Sequence, residues 1–487
     1  VNEIGSLAFH TDCSEPSVAA LELVHVEGRE ALSTPYEYAL ELVSRADQGL
    51  SAEAIEAWVR QPCRFTFAGT QVSGVVRELK LLPVIDPERV VYRAVIVPRL
   101  ARLAQTIRSR IFQTMRVGEI VQSVLNEHGI RHSQLLNRDY SVREYTVQYA
   151  ESDLAFVSRL LEHVGIFYFF EHAPDGETMV LADDNRAFVP HAEHGTLTFA
   201  PSGADATAAG WIGPLTRTLV PQTGRVIVRD YNWRTSYHGE DGTMRGRQLQ
   251  LRATHDVDGR TGTGEHWRYG DHVKDEPEAR HIAQMRAELL ASQRETYEGT
   301  LCAPGLAPGH RVATSGMPLA ELEQDYVLTS LHTVLDQRSD NHVFAQRFTA
   351  ISSAVAFRPS LATPRPRIDG FMHAVIDGET ASTAAPIDSL GRYKVILPFD
   401  VAAAPGGRAS RWIRMAQPSS GSGYGMHLPL HVGTEVAILH LDGDPDRPVI
   451  VGSIPNVDTV SPVVDANATQ SRIKTKKSIL FELEDDA

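Results

Sequence analysis

At 487 residues the chain is too long for a single hydrophobic core, and about three domains are expected. Its 42% hydrophobic and 22% charged residues exclude a mostly disordered chain, and 36 Gly and 27 Pro beside 7% aromatics favour short strands and many turns over long bundles. Lys and Arg total 47 against 61 Asp and Glu, a net charge of −14, which disfavours nucleic acid and acidic surfaces as partners.

The N-terminal stretch Val1–His10 lacks the basic start and apolar core of a secretory signal, and the missing initiator Met fits a processed or trimmed chain. No window reaches the ~18 apolar residues of a membrane helix. Cys13, Cys63 and Cys302 form no CxxC pair, as suits buried thiols in a reducing compartment. Val18–Val26, Tyr36–Val43, Arg64–Phe67 and Val90–Val97 read as strands, and Ala52–Val59 as a helix.

A mixed region follows. Val117–His128 puts Ile120, Val121, Val124 and Leu125 on one helical face, with Gly129 past the end. Ser152 is placed to cap a second helix, with Leu154, Val157, Leu160, Leu161 and Val164 inward and Gly165 closing it. Ile166–Phe170, Asp175-Gly176 and Met179–Ala182 spell a hairpin, because an Asp-Gly pair tolerates positive φ. Residues 197–214 are rich in Ala, Gly, Ser and Thr and read as a loop. Val226–Trp233 and Gln248–Ala253 read as strands, Glu278–Gln293 as an amphipathic helix, and Tyr326–Leu335 and His342–Ile351 as strands. Pro359, Pro364 and Pro366 mark Phe357–Asp369 as a linker.

Beyond it, Phe371–Val375, Arg392–Leu397, Arg411–Met415, Glu435–Leu441 and Pro448–Gly452 are five short strands, the number in a small Greek-key barrel of OB type. At the end, Arg472–Lys477 alternates basic residues with Ile473 and Thr475. Ile479, Phe481 and Leu483 then alternate with Leu480, Glu482 and Glu484. With no strand to follow, this ribbon is expected to fold back on the barrel or to pair with other chains.

Chemistry-bearing motifs are sparse. His128 and His132 stand at i, i+4 without the Glu of a zinc HExxH motif, and Gly129 should end the helix between them. His191 with His194, and His427 with His431, have ligand spacing but no third ligand nearby in sequence. Asp442, Asp444 and Asp446 resemble the start of a calcium loop, yet Arg447 and Ser453 replace the Gly and Glu that such a loop needs. Gly421-Ser422-Gly423 is no nucleophile elbow, and Asp183-Asp184 is a solvated pair rather than an acid–base couple. No catalytic residue, cofactor or metal ligand is assigned.

Two blocks resemble a known family. Arg143–Tyr149, Glu151–Leu154, Phe156–Leu161 and Gly165–His172 form the first. Ser389–Val395, Ser410–Arg414, Gly425-Met-His427, Gly433–Val436 and Asp442–Ser453 form the second, followed by Ser471–Lys476. Together they are similar to VgrG, the spike proteins of bacterial type VI secretion systems, which are related to contractile-phage tail hubs. The resemblance implies a mainly β protein with α+β parts. Residues 1–365 would be a phage-hub-like base of β-barrel domains with helices inserted at about 110–190, 366–458 the OB-fold, and 459–487 the start of a trimeric intertwined β-helix. It implies a homotrimer with Ile473, Ile479, Phe481 and Leu483 on the trimer axis. The implied partners are a hexameric Hcp-like tube, a PAAR-like tip protein, effectors with their adaptors and baseplate components, without nucleic acid. It also implies a cytoplasmic stage and then secretion without a signal peptide. Family needles run further than Ala487, so a short or cut needle without a fused effector is expected. Three copies at −14 each carry −42, which favours a soluble assembly.

Three other readings remain beside this one. A contractile-phage spike shares the hub and barrel. A cell-wall hydrolase would need an extra domain. A carbohydrate- or nucleic-acid-binding barrel would need exposed aromatics, and Trp412 is the one Trp among the five strands.

Overall fold

The computed structural model describes residues 7–11, 15–59, 61–84, 86–201, 209–234, 250–257, 262–338, 343–379, 384–421 and 423–485. They fall into two compact units, Val1–Thr106 with Val121–Ser141 and Asp153–Pro364, and Ile107–Ile120 with Val142–Ser152 and Arg365–Ala487. Cys13 and the start of the chain to residue 6 lie outside the described residues, as do Ser422 and positions 248 and 249.

In the first unit, alternating side chains build β1 (Leu7–Thr11), β2 (Glu22–Ala31), β3 (Thr34–Arg45), β4 (Pro62–Phe67), β5 (Thr70–Leu81) and β6 (Arg89–Val97), in the sheet order β1-β4-β5-β6-β3-β2. Tyr36, Tyr38, Leu40 and Leu42 of β3 point inward and meet Phe65, Phe67 and the helix residue Trp58. Gly28 is required here, since a Cβ would stand 2.1 Å from the Tyr38 ring lying across β2. Beyond β2 the sheet continues into a closed six-stranded barrel. Its strands are Asp325–Asp336, Arg311–Ser315, Thr196–Phe199, Trp211–Leu219, Glu295–Cys302 and Val343–Ser352, and the last pairs back with the first. Closure leaves no open edge in the ring.

Two sequence expectations are corrected. The Val18–Val26 strand is instead a short helix, Pro16–Ala19, followed by β2 from Glu22, because Pro16 in the first turn has its φ already set and no N–H to lose. The loop expected at 197–214 contains two barrel strands, whose Leu197 and Ile212 are fully buried. The small residues between them diluted the alternation. β5 and the strand Ile107–Met115 are further elements beyond those expected from sequence.

The other elements follow their patterns. The helix Val117–Glu127 ends before Gly129, whose φ is 62°, and the helix Asp153–Val164 starts directly after Ser152. Phe167–Ala173 and Gly176–Ala182 form the expected hairpin, which His132–Leu135 joins in parallel. Asp275 caps the helix Glu276–Ser292 by accepting the Glu278 N–H at 2.9 Å, and Ile282 and Met285 pack inward. The proline-rich segment after Ser352 has neither helix nor strand, but it is not a free tether. Arg358 is buried and donates to Glu288 and to the Asp183 carbonyl, each at 2.7 Å.

The second unit is built on five strands in the order Lys394–Ile396, Phe371–Asp377, Glu435–His440, Pro448–Ser453 and Arg414–Met415. Tyr393 and Ile413 exchange both backbone hydrogen bonds, at 2.9 and 2.7 Å, which closes the small barrel. The ribbon of Ile107–Met115 and Arg143–Ser152 belongs to this unit, although its sequence lies within the stretch read above as part of the base. Tyr145 and Val147 enter the barrel core beside Tyr393, Val436 and Ile438. Among the described residues, no helix is long and apolar enough to cross a membrane.

Candidate functional site

The sequence motifs that suggested chemistry are absorbed by structural hydrogen bonding. Asp183 is buried, and its carboxylate accepts the Asn137 and Arg138 N–H groups at 2.9 and 3.1 Å and the Tyr140 hydroxyl at 3.0 Å. Burial and this charge push the Tyr140 hydroxyl up, so it stays a donor. Asp184 caps the next short helix by accepting the Arg186 N–H. The two acids therefore stabilise a turn and a cap and do not share a proton. Asp446 accepts the Val147 N–H at 2.6 Å, Asp444 accepts the Asp446 N–H at 3.0 Å, and Arg365 donates to Asp444 at 3.2 Å. The calcium-like run thus fastens the ribbon onto the barrel.

The histidines divide in the same way. His128 meets the buried Asp153 at 2.7 Å, while His132 turns away to the Ile130 carbonyl at 2.9 Å. His427 sits between the Tyr393 hydroxyl at 2.8 Å and the Gln417 amide at 2.7 Å, so both ring nitrogens are engaged. His191 does gain a third histidine that sequence spacing could not show, His310, whose ring centre is 5.1 Å away. The His191 and His194 rings stack face to face, and Nδ1 of both His191 and His310 accepts a backbone N–H.

Burial lowers His172, His281 and His310 to about 4, and His281 also faces the Arg138 and Arg358 guanidiniums. These groups are neutral in the fold and titrate near 6.5 once unfolded. Their stabilisation is complete above pH 6.5 and is lost as pH falls toward 4, at about 3 kcal/mol for each group by the end. The first unit should therefore melt progressively lower between pH 6.5 and 4. His281→Gln, whose side chain can still accept from Arg138, should flatten that slope in calorimetric scans.

The four residues placed on a trimer axis lie in the terminal hairpin. Gln470–Lys474 pairs antiparallel with Leu480–Glu484, so the terminal strand finds a hydrogen-bonding partner within its own chain, preceding it rather than following it. Ser478, at φ 66°, and the Thr475–Ser478 hydrogen bond close the turn. Register puts Ile473 opposite Phe481 and Ser471 opposite Leu483 on one face, with Arg472 opposite Glu482 on the other. The Arg472–Glu482 pair is 2.6 Å long. On the apolar face Ile473, Phe481 and Leu483 are 42%, 59% and 55% exposed, and Ile479 at the turn is 73% exposed. A two-stranded hairpin is marginal in water, and this one keeps its apolar face in solvent.

Comparison with known proteins places this architecture. The phage tail baseplate hub (GPD) family matches residues 29–339, and the type VI secretion system/phage-baseplate injector OB domain matches residues 388–454. The type VI secretion system spike protein VgrG5 of Pseudomonas aeruginosa is 32% identical over 93% of this chain and 58% of its own length. The chain spans about three fifths of the length of the curated spike proteins it matches. The E. coli c3393 protein, a type VI secretion component similar to the T4 tail proteins gp27 and gp5, shares the fold with a TM-score of 0.65 at 24% identity, over 92% of this chain and 100% of that one. The Francisella PdpA–VgrG complex gives 0.64 at 8% identity, over 99% and 83%. With its hub strands, its closed five-stranded barrel and these matches, the chain belongs to the phage tail baseplate hub family and is a relative of the type VI secretion VgrG spike proteins.

Proposed function

We propose that the chain is a structural, non-enzymatic spike of a type VI secretion system and works as a homotrimer. Residues 1–365 form the base that docks on a hexameric Hcp-like tube, 366–458 the OB neck, and 459–487 the beginning of the needle that leads to a PAAR-like tip and effectors. Loading takes place in the cytoplasm and contraction expels the assembly.

The observation that carries this reading is the terminal hairpin. It is amphipathic, its apolar face is exposed, and a copy of itself would cover that face. Three hairpins with Ile473, Phe481 and Leu483 turned to a common axis remove these side chains from water, at about 1.5–3 kcal/mol for each one fully buried. The Arg472–Glu482 pair is left outside, where charge keeps the rod soluble. Cyclic symmetry then gives a closed assembly of fixed size. Sedimentation at micromolar concentration is expected to report the mass of three chains, and a stable monomer would overturn the proposal.

The match to a phage baseplate hub family favours one second reading, a contractile-phage spike. Co-purification tests with an Hcp ring and with a phage tail-tube protein separate the two.

A further inference from the structure

A cavity of about 460 Å³ opens within the first unit, between the end of β2, the start of β5, the strand Phe167–Ala173 and the loop from Gly305 to His310. The loop is written twice over, as Ala303-Pro-Gly-Leu306 and Ala307-Pro-Gly-His310. Both glycines take positive φ and lie flat on rings of the wall. A Cβ on Gly309 would stand 3.2 Å from the Phe169 ring, and one on Gly305 would stand 2.8 Å from His191 Nε2. The volume is within the range of small-molecule sites.

The lining is electron-rich. It carries two carboxylates, Glu30 and Glu171, beside the strand residues Phe169 and Phe170, but no Lys or Arg. The three imidazoles of the wall, His172, His191 and His310, are held neutral near pH 7 by burial. Glu30 occupies a bulge of β2, where the register slips between Arg29 and Ala31. Its carboxyl is mostly buried and accepts the Tyr38 hydroxyl, which reaches it because Gly28 lets that ring lie across the strand. Burial raises this carboxyl to about 7, and among the described residues no base offsets it. Of the other charged groups that line the neighbouring groove, Arg29 and His332 both pair with Glu27, and Arg347, Glu37 and Glu298 complete the set.

We infer that this cavity binds a small organic cation, an alkylammonium or a guanidinium group, with Glu30 as its counter-ion. A buried carboxylate without a cation is costly, and a matching cation relieves that cost. His191 and His310 meet edge to face, and Nδ1 of His172, His191 and His310 each already accepts a backbone N–H, so the lining suits a diffuse organic cation better than a ligated metal ion.

The test is calorimetric titration of the full chain at pH 8 with n-butylammonium and n-butylguanidinium, with n-butanol as the uncharged control. One saturable site per chain is expected for the cations and none for the alcohol. Glu30→Gln should weaken cation binding at least tenfold while circular dichroism stays unchanged. Val189→Arg places a positive charge on an exposed lining residue and leaves Glu30 in place; it should weaken binding at least as much, and it decides the matter if the Gln variant misfolds. Absence of saturable binding, equal binding of butanol, or unchanged binding in a folded variant overturns the assignment. A blocked lysine tripeptide that binds more tightly than butylammonium places the cation on a protein side chain, whereas weaker binding places it on a free amine.

Discussion

Phe481→Asp should convert the assembled protein to single chains at neutral pH, read as a threefold drop in sedimenting mass. Phe481 is 59% exposed within its own chain, so the substitution removes little from the fold of one copy. Its cost falls on assembly. Three carboxylates would meet at one level of a common axis, where each must either lose water beside two like charges or take up a proton. The proposed axis therefore predicts a pH effect of definite sign. Like-charge repulsion raises the carboxyl pKa in the assembled form, so acid should partly restore the trimer and neutral pH should dissolve it. Leu480→Asp is the matched control. Leu480 is on the opposite face of the same strand, opposite Lys474, and a carboxylate there faces solvent and a base. That variant should assemble like the parent. If both variants behave alike, or if Phe481→Asp keeps the parental mass, the apolar face is not the contact.

The second large effect is expected at Asp183. Replacement by Ala should lower the stability of the first unit by about 3–5 kcal/mol, because two backbone N–H groups and the Tyr140 hydroxyl lose their acceptor in a buried setting. Asp183→Asn should recover only part of this, since one of its two polar atoms would turn an N–H toward groups that are themselves donors. Urea unfolding followed by circular dichroism measures both variants. A loss under 1 kcal/mol for the Ala variant would show that water satisfies these groups and that the carboxylate is not the centre of the turn.

Regular elements were legible wherever one face is clearly apolar. The helices at Val117–Glu127, Asp153–Val164 and Glu276–Ser292, the Asp175-Gly176 hairpin and the five barrel strands follow from periodicity and turn chemistry, which act over a few residues. The short helix at Pro16 and the barrel strands flanking residues 202–208 were not legible. Their patterns are short or diluted by small residues, and the two barrel strands are held by closing a ring with strands far along the chain, Arg311–Ser315 and Glu295–Cys302.

Candidate chemistry shows the same division more sharply. Asp183-Asp184 and the Asp442–Asp446 run carry suggestive residue types in sequence, yet Asp183 is committed to donors more than forty residues upstream, and Asp446 to a backbone N–H almost three hundred residues upstream. His310 meets His191 across more than a hundred residues, and Glu30 meets the loop from Gly305 to His310 only through the folded sheet. By itself the sequence determined the mainly β character, the five-stranded barrel and the alternating apolar tail, because those patterns have the period of the backbone. Only the tertiary structure decided that the tail doubles back as a hairpin with a bare apolar face, and which polar groups are already satisfied. Hydrogen-bond partners and burial depend on where distant segments come to rest.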